Sequence, residues 1–133
     1  MRHNIALTVA SLLSVLFVTL HMADDIVRGM EDGGPANLII VPILVIWLYG
    51  TLELNGRRSG YVIILLGSLL GAVVPVVHFR VTGGVAHGEI ATSSGAFFFV
   101  WTQIALGVTA VFSVVLSVRG LWKLRGGRDI KAG

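Results

Sequence analysis

The chain has 133 residues, of which 55% are hydrophobic and only 13% are charged, and its formal net charge is +3. Soluble domains have roughly a quarter of their residues charged, so this composition excludes an ordinary water-soluble protein and indicates a single-domain membrane protein. The absence of cysteine excludes disulfides, iron–sulfur clusters and thiolate zinc sites.

The first apolar run covers residues 5–22 and is long enough to cross most of a hydrocarbon core about 30 Å thick. A cleaved signal peptide is the alternative interpretation, because Arg2 precedes the run. The run is long for a signal peptide, however, and no small-residue cleavage site stands before Asp24. We therefore expect a first transmembrane helix that stays in the protein.

The second and third apolar runs cover residues 36–54 and 61–79. Pro42 lies inside the second run and is expected to bend that helix. The connection between the two runs is short and contains Arg57 and Arg58. A connection of this length predicts that the second and third helices are antiparallel neighbours.

The fourth run covers residues 96–118, and a basic tail, 119–133, follows it. We expect the first part of the tail to lie along an anionic membrane surface. Eight of the ten Lys and Arg residues lie before the first run, between the second and third, or in the tail, whereas only Arg28 and Arg80 lie in the other two loops. Because positive residues collect on the cytoplasmic side, both termini are predicted to be cytoplasmic.

These runs predict an all-α fold, a four-helix transmembrane bundle in a bacterial-type plasma membrane. The positive charge is explained by orientation in the lipid bilayer, so no nucleic-acid partner is expected. Rows of small residues spaced four apart favour close helix packing. They pack the bundle internally or, alternatively, mediate a homo-oligomer or a larger membrane complex. The rows are Ala6/Ala10/Ser14, Gly67/Gly71 and Thr109/Ser113/Ser117.

Histidine and acidic residues collect at the end that the charge pattern assigns to the non-cytoplasmic side. His21 and His78 share a depth near the ends of two parallel spans. Continued helix would put Asp24 and Asp25 three and four residues after His21 on one face. Two carboxylates at a helix C-terminus are unfavourable unless a positive charge offsets them. Arg28, through an ordinary salt bridge, and a divalent metal ion are the two candidates for that charge.

The metal hypothesis draws on nitrogen and oxygen donors without sulfur, which suit zinc, copper, manganese or iron. The candidate ligands are His21, Asp24, Asp25, His78, His87 and Glu89. The last two lie in a glycine-rich loop and have no helical ligand spacing. Two alternatives remain: haem with both span histidines as axial ligands, or interfacial hydrogen bonding without any cofactor.

Three functions are compatible with these features. The favoured one is a non-catalytic binding or accessory membrane protein whose His/Asp cluster binds a ligand or metal. The second is a metal-dependent enzyme at the membrane interface that acts on a lipid or another amphiphile. The third is a small transporter, since the chain resembles small multidrug-resistance-type transporters in having four spans in a short polypeptide. Those proteins carry a glutamate within the first span, which this first span lacks.

Overall fold

The computed structural model of the chain describes residues 2–29, 31, 33–80 and 95–129. These residues form α1 (Arg2–Val27), a 3₁₀ segment (Pro35–Ile39), α2 (Ile40–Leu52), α3 (Arg58–Arg80) and α4 (Ala96–Asp129). The stretches that are long and apolar enough to cross a membrane are Asn4–Val27, Pro35–Leu52, Arg58–Phe79 and Ala96–Gly126. The prediction of an all-α fold with four such helices is confirmed for the described part of the chain.

Contacts at both ends of the bundle establish how the helices run. At one end, Tyr61 donates a hydrogen bond to Asn4. At the other end, the side chain of His21 contacts those of His78 and Gln103. Therefore α1 and α3 are parallel, and α4 is antiparallel to both. We call the end with His21 and His78 the histidine end, and the end with the short α2–α3 connection the hairpin end. The most extensive packing joins α4 to α3 and α1, whereas α2 packs mainly on α3.

Helix α1 is longer than the sequence pattern predicted, because it continues past residue 22 to Val27. The added residues 23–27 include neither proline nor glycine. Just beyond the helix, Gly29 adopts φ +70°, the left-handed conformation that commonly follows a helix C-terminus. The extension keeps Asp25 in regular helix, four residues after His21.

The start of α2 explains how the second span accommodates its proline. Pro42 is the third residue of α2, which follows directly on the 3₁₀ segment, and proline is tolerated best in the first turn of an α-helix. The bend at Pro42 stays a prediction. The predicted span 36–54 combines the 3₁₀ segment with α2.

The indole of Trp47 seats α2 against its neighbours. A Cβ atom added at Gly67 would overlap the indole ring, and one at Gly71 would lie 3.3 Å from it. These two glycines form a notch for the ring, so this row of small residues packs the bundle internally. On the other side, Trp47 Nε1 donates to Ser11 Oγ at 2.9 Å, and the hydroxyls of Ser11 and Thr51 lie 2.8 Å apart. One side chain thus connects α2 to both α3 and α1.

Two apolar clusters fill the interior between the ends of the bundle. The cluster nearer the hairpin end contains Leu7, Tyr61, Ile64 and Leu116. The central cluster contains Val15, Val18, Trp47 and Leu106. Several small residues of α1 and α4 are buried in the same interior, namely Ala10, Ser14, Ser113 and Ser117. These residues let the helix backbones approach closely.

Helix α4 also departs from the prediction, since it continues past residue 118 to Asp129. Leu121 and Leu124 pack on the apolar cluster of the hairpin end. The predicted tail 119–133 therefore begins as part of the bundle. The segment that we expected to lie along a membrane surface is a direct continuation of α4.

Candidate metal centre

Three ionisable side chains meet at the histidine end, two from α1 and one from α3. His21 Nε2 lies 3.2 Å from Asp25 Oδ2, one helical turn later. His78 Nε2 lies 3.1 Å from His21 Nε2 and 3.7 Å from the same carboxylate oxygen. The side chains of His21 and Asp25 are 2% and 4% exposed, and that of His78 is 17% exposed. The group is therefore enclosed, with His78 on its more open side.

His21 Nε2 has three polar neighbours. Besides Asp25 Oδ2 and His78 Nε2, this atom lies 3.3 Å from Nε2 of Gln103. A neutral imidazole nitrogen carries either one proton or one lone pair, so it directs one good hydrogen bond. The arrangement is compatible with a hydrogen-bonded network and with a cation that the surrounding donors share.

The distances suit a single small ion. One donor atom from each of His21, Asp25 and His78 lies within 4.8 Å of the others. The three atoms are separated by 3.1, 3.2 and 3.7 Å. A point in their plane therefore lies about 2 Å from each of them, and this distance equals the bond length of zinc to histidine nitrogen or carboxylate oxygen. Two imidazoles and a carboxylate with a position left open are typical of zinc and non-haem iron sites.

Helix α4 closes the third side of this group. Gln103 is 0% exposed, and its Nε2 lies 3.1 Å from Nδ1 of His21. Phe99, one turn earlier, is 2% exposed, and its ring centre lies 6.1 Å from that of His21 and 5.8 Å from that of His78. An aromatic wall lowers the local dielectric, which strengthens any charge interaction inside the site.

Two oxygen atoms at the site, Asp25 Oδ1 and Gln103 Oε1, are buried and have no hydrogen-bond partner among the described residues. Leaving a buried acceptor unsatisfied costs about 1–3 kcal/mol, and more when the acceptor is charged. Both atoms are acceptors, so the site is suited to a cation or to a bound molecule with protons to donate.

Asp24, which we predicted as a ligand, is engaged elsewhere. Arg28 Nε donates to Asp24 Oδ2 at 2.7 Å, and Arg28 Nη2 donates to the carbonyl oxygen of Gly95 at 2.7 Å. The guanidinium carbon also lies 5.8 Å from the centre of the Phe99 ring. Consecutive residues of a helix are about 100° apart, so Asp24 and Asp25 face different neighbours. Asp24 thus belongs to an ion pair that joins the end of α1 to the start of α4.

The remaining predicted ligands, His87 and Glu89, lie outside the described residues, and their assignment stays a prediction. Conversely, Gln103 and Phe99 lie at the site but were not predicted there. A signal for Gln103 was present, because it is an amide inside the apolar run 96–118. The position of Gln103 along α4 gives its depth in the bundle. Its partner also depends on which way α4 is rotated about its axis, and the sequence does not give that rotation.

The haem alternative does not fit this arrangement. Two axial histidines bind on opposite faces of a macrocycle, so their ligand atoms are separated by two metal–nitrogen bonds, about 4 Å in total. The Nε2 atoms of His21 and His78 are 3.1 Å apart, and their rings meet edge to face with centroids 4.6 Å apart. A macrocycle between them would require α1 and α3 to separate.

Comparison of the chain with known protein families, with curated proteins and with solved structures finds no match. The chemistry of the site is therefore the basis for proposing a function.

Proposed function

We propose that the protein is an integral membrane protein with both termini in the cytoplasm and the histidine end at the non-cytoplasmic face. Four helices of sufficient length and hydropathy support membrane insertion. The Lys and Arg residues near the hairpin end and in the C-terminal part of α4 support the orientation. At the hairpin end Trp122 is 70% exposed, as suits an indole at a membrane interface.

This orientation predicts the behaviour of reporter fusions. Green fluorescent protein joined after Gly133 is expected to fluoresce, because it folds in the cytoplasm, and alkaline phosphatase joined there is expected to be inactive. Fusions truncated after Gly34, at the opposite end of the bundle, are expected to give the reverse pattern. An active phosphatase on the full-length chain would place the histidine end in the cytoplasm and contradict the assignment.

At the histidine end, the protein binds one divalent transition-metal ion. The observation that carries this proposal is the convergence of His21, Asp25 and His78 on a common point at metal-bonding distance. The donor set contains nitrogen and oxygen only, which favours zinc, manganese, iron or copper. The simplest function is that of a non-catalytic binding or accessory protein that holds this ion within the membrane.

Neighbouring carboxylates provide a matched test of the proposal. Asp25→Asn removes a charged ligand and is expected to weaken zinc binding about 10–100-fold. Mutation of groups that only hydrogen-bond to metal ligands already lowers metal affinity by this amount. Asp24→Asn removes the same charge from the ion pair with Arg28, and it is expected to change the affinity by no more than about threefold. Competition with a chromophoric chelator in detergent measures both dissociation constants. Equal effects of the two substitutions would indicate nonspecific electrostatics in place of ligation.

A metal-dependent enzyme is the second candidate, and one feature of the site favours it. Three protein ligands leave a coordination position open, as in catalytic zinc sites. Asp25 Oδ1, buried without a partner among the described residues, would then accept a proton from a metal-bound water. Metal-dependent hydrolysis of an amphiphilic ester by the wild type, lost in Asp25→Asn and kept in Asp24→Asn, would favour the enzyme over the accessory protein.

A further inference from the structure

Three buried serines in the interior of the bundle have hydroxyl groups without a partner. They are Ser68 of α3 and Ser113 and Ser117 of α4. Each is 0% exposed, and its Oγ atom makes no hydrogen bond to any of the described residues. Leaving a buried polar group unsatisfied costs about 1–3 kcal/mol, and lipid tails offer no hydrogen bonds. These hydroxyls therefore need a partner from outside the described residues.

Other hydroxyls of the bundle show what a serine or threonine in a helix ordinarily does. Ser14 Oγ donates to the carbonyl oxygen of Ala10 at 2.9 Å, and Thr109 Oγ1 donates to that of Ala105 at 2.8 Å. A helical hydroxyl has such a carbonyl, four residues earlier, within its reach. Ser113 follows Thr109 by one turn of the same helix, yet it makes no such bond. Its own backbone therefore does not satisfy its hydroxyl.

Two contacts between α3 and α4 fix the depth of Ser68 and Ser113. A Cβ atom at Gly71 would lie 3.6 Å from Cβ of Ala110. Ser68 precedes Gly71 by three residues on α3. Ser113 follows Ala110 by three residues on α4, which runs in the opposite direction. Both serines therefore lie about 4.5 Å from this contact along their helices, between it and the apolar cluster of the hairpin end.

Helices α1 and α2 add buried hydroxyls at the same depth. Ser11 of α1 lies midway between Leu7, in the apolar cluster of the hairpin end, and Val15, in the central cluster. Its Oγ atom lies 2.8 Å from Oγ1 of Thr51 on α2, and both residues are 0% exposed. Each helix thus contributes one buried hydroxyl to a layer between the two clusters. We call this the hydroxyl layer, and it consists of Ser11, Thr51, Ser68 and Ser113.

The chemistry of the hydroxyl layer indicates which ligand it can hold. Its residues are all neutral, and an ion without a counter-charge is costly to bury in a bundle that lipid surrounds. Each hydroxyl can donate one proton and can also accept, so the ligand must be able to do both. Water meets these conditions, and a buried water molecule typically makes about three hydrogen bonds to polar groups that are otherwise unsatisfied.

We propose that the hydroxyl layer is an internal water site, in which ordered water is bound by Ser68 and Ser113 and links α3 to α4. Ser117, one turn nearer the hairpin end on α4, supplies a further unpaired hydroxyl. The site is separate from the candidate metal centre. Ser113 lies about 15 Å along α4 from Gln103, and the central apolar cluster, which includes Leu106, lies between them. The inference therefore does not depend on metal binding.

Solid-state NMR of the full chain in lipid bilayers tests this proposal. Serine is labelled with carbon-13, and magnetisation is transferred from water protons to the protein. The Cβ signals of Ser68 and Ser113 are expected to build up early. That of Ser14 is expected to build up late, because Ser14 is equally buried but donates to a carbonyl of its own helix. This comparison within the wild type needs no variant.

Two variants test which groups hold the water. Ser68→Ala/Ser117→Ala leaves Ser113 as the one unpaired hydroxyl of the three, and a buried water needs at least two polar partners. The early transfer to Ser113 is therefore expected to be lost and to fall to the level of Ser14 in the wild type. Ser14→Ala is the matched control, since it removes a hydroxyl that is already satisfied. Transfer to Ser68 and Ser113 is expected to be unchanged in this control.

Three outcomes would overturn the proposal. Late transfer to Ser68 and Ser113 in the wild type, equal to that of Ser14, would mean that the interior is dry and that these serines bond within the protein. Early transfer to Ser14 as well would mean that water enters the bundle generally and is not bound at one layer. Early transfer to Ser113 that survives Ser68→Ala/Ser117→Ala would assign the water to other groups. Zinc binding is measured separately, so none of these outcomes bears on the metal centre.

Discussion

The double substitution His21→Ala/His78→Ala is expected to abolish metal binding, with zinc affinity reduced by more than about 100-fold. This loss is larger than the loss seen when a group that only hydrogen-bonds to a metal ligand is mutated. The double substitution removes two of the three donor atoms that lie about 2 Å from a common point. One carboxylate then remains, and a single carboxylate in an apolar setting holds a transition metal poorly. Isothermal titration with zinc, together with elemental analysis of the purified protein, measures the loss.

His3→Ala provides the control for this experiment. His3 lies in the same helix as His21 but about 27 Å away along its axis, at 1.5 Å per residue, so its removal is expected to leave metal binding unchanged. A further variant, His21→Gln/His78→Gln, keeps polar side chains at the site and guards against loss of fold. Undiminished binding in both double variants would locate the metal elsewhere in the chain.

Gly67→Val is expected to destabilise the bundle by about 3 kcal/mol or more, because forcing extra volume into a packed interior costs about 1–3 kcal/mol and more where backbone must move. A Cβ atom at Gly67 already overlaps the indole of Trp47, and valine adds two methyl groups. The indole also connects α2 to Ser11 of α1, so its displacement loosens two helix contacts together. Unfolding in mixed micelles with increasing dodecyl sulfate measures the change.

The matched control is Gly126→Val, in the C-terminal part of α4. A Cβ atom at Gly126 would meet nothing within 4 Å, so the same substitution there is expected to change stability by less than about 0.5 kcal/mol. Valine has a higher helix propensity than glycine, so propensity does not predict a loss of stability at either position. Equal destabilisation by the two variants would therefore mean that the Trp47 notch does not account for the effect.

The number of helices and their order were predictable because both follow from local hydropathy. Four apolar runs of sufficient length were visible in the sequence, and the described residues form four helices that are long enough to cross a membrane. The helix ends were less predictable, since hydropathy marks where a helix becomes polar and not where it stops. α1 therefore continues through two aspartates until Gly29 reverses the chain, and α4 continues through its basic segment.

The candidate site was predictable in part, for a similar reason. Residue spacing along a helix gives depth and relative angle, which was enough to associate His21, Asp25 and His78. It does not give the rotation of each helix within the bundle. The rotation decides which side chains face the histidines. For this reason Asp24 was predicted at the site, although it pairs with Arg28, and Gln103 was not predicted there, although it contacts His21.

The two candidates for the positive charge beside the aspartates, Arg28 and a metal ion, are not in competition. Arg28 forms an ion pair with Asp24 and donates to the carbonyl of Gly95 before α4, whereas the Asp25 carboxylate contacts the two histidines. Each carboxylate thus has its own candidate partner. The ordinary salt bridge accounts for one aspartate, and the other lies against the two histidines.

The most direct test of metal binding is X-ray absorption spectroscopy of the wild-type protein after stripping with a chelator and reloading with zinc. We expect one ion per chain, with a first shell of nitrogen and oxygen atoms at about 2.0 Å and no sulfur. The outer-shell scattering is expected to require two imidazole rings. A protein that takes up no stoichiometric zinc, manganese, iron or copper on reloading, or a zinc shell without imidazole scattering, would contradict the site formed by His21, Asp25 and His78.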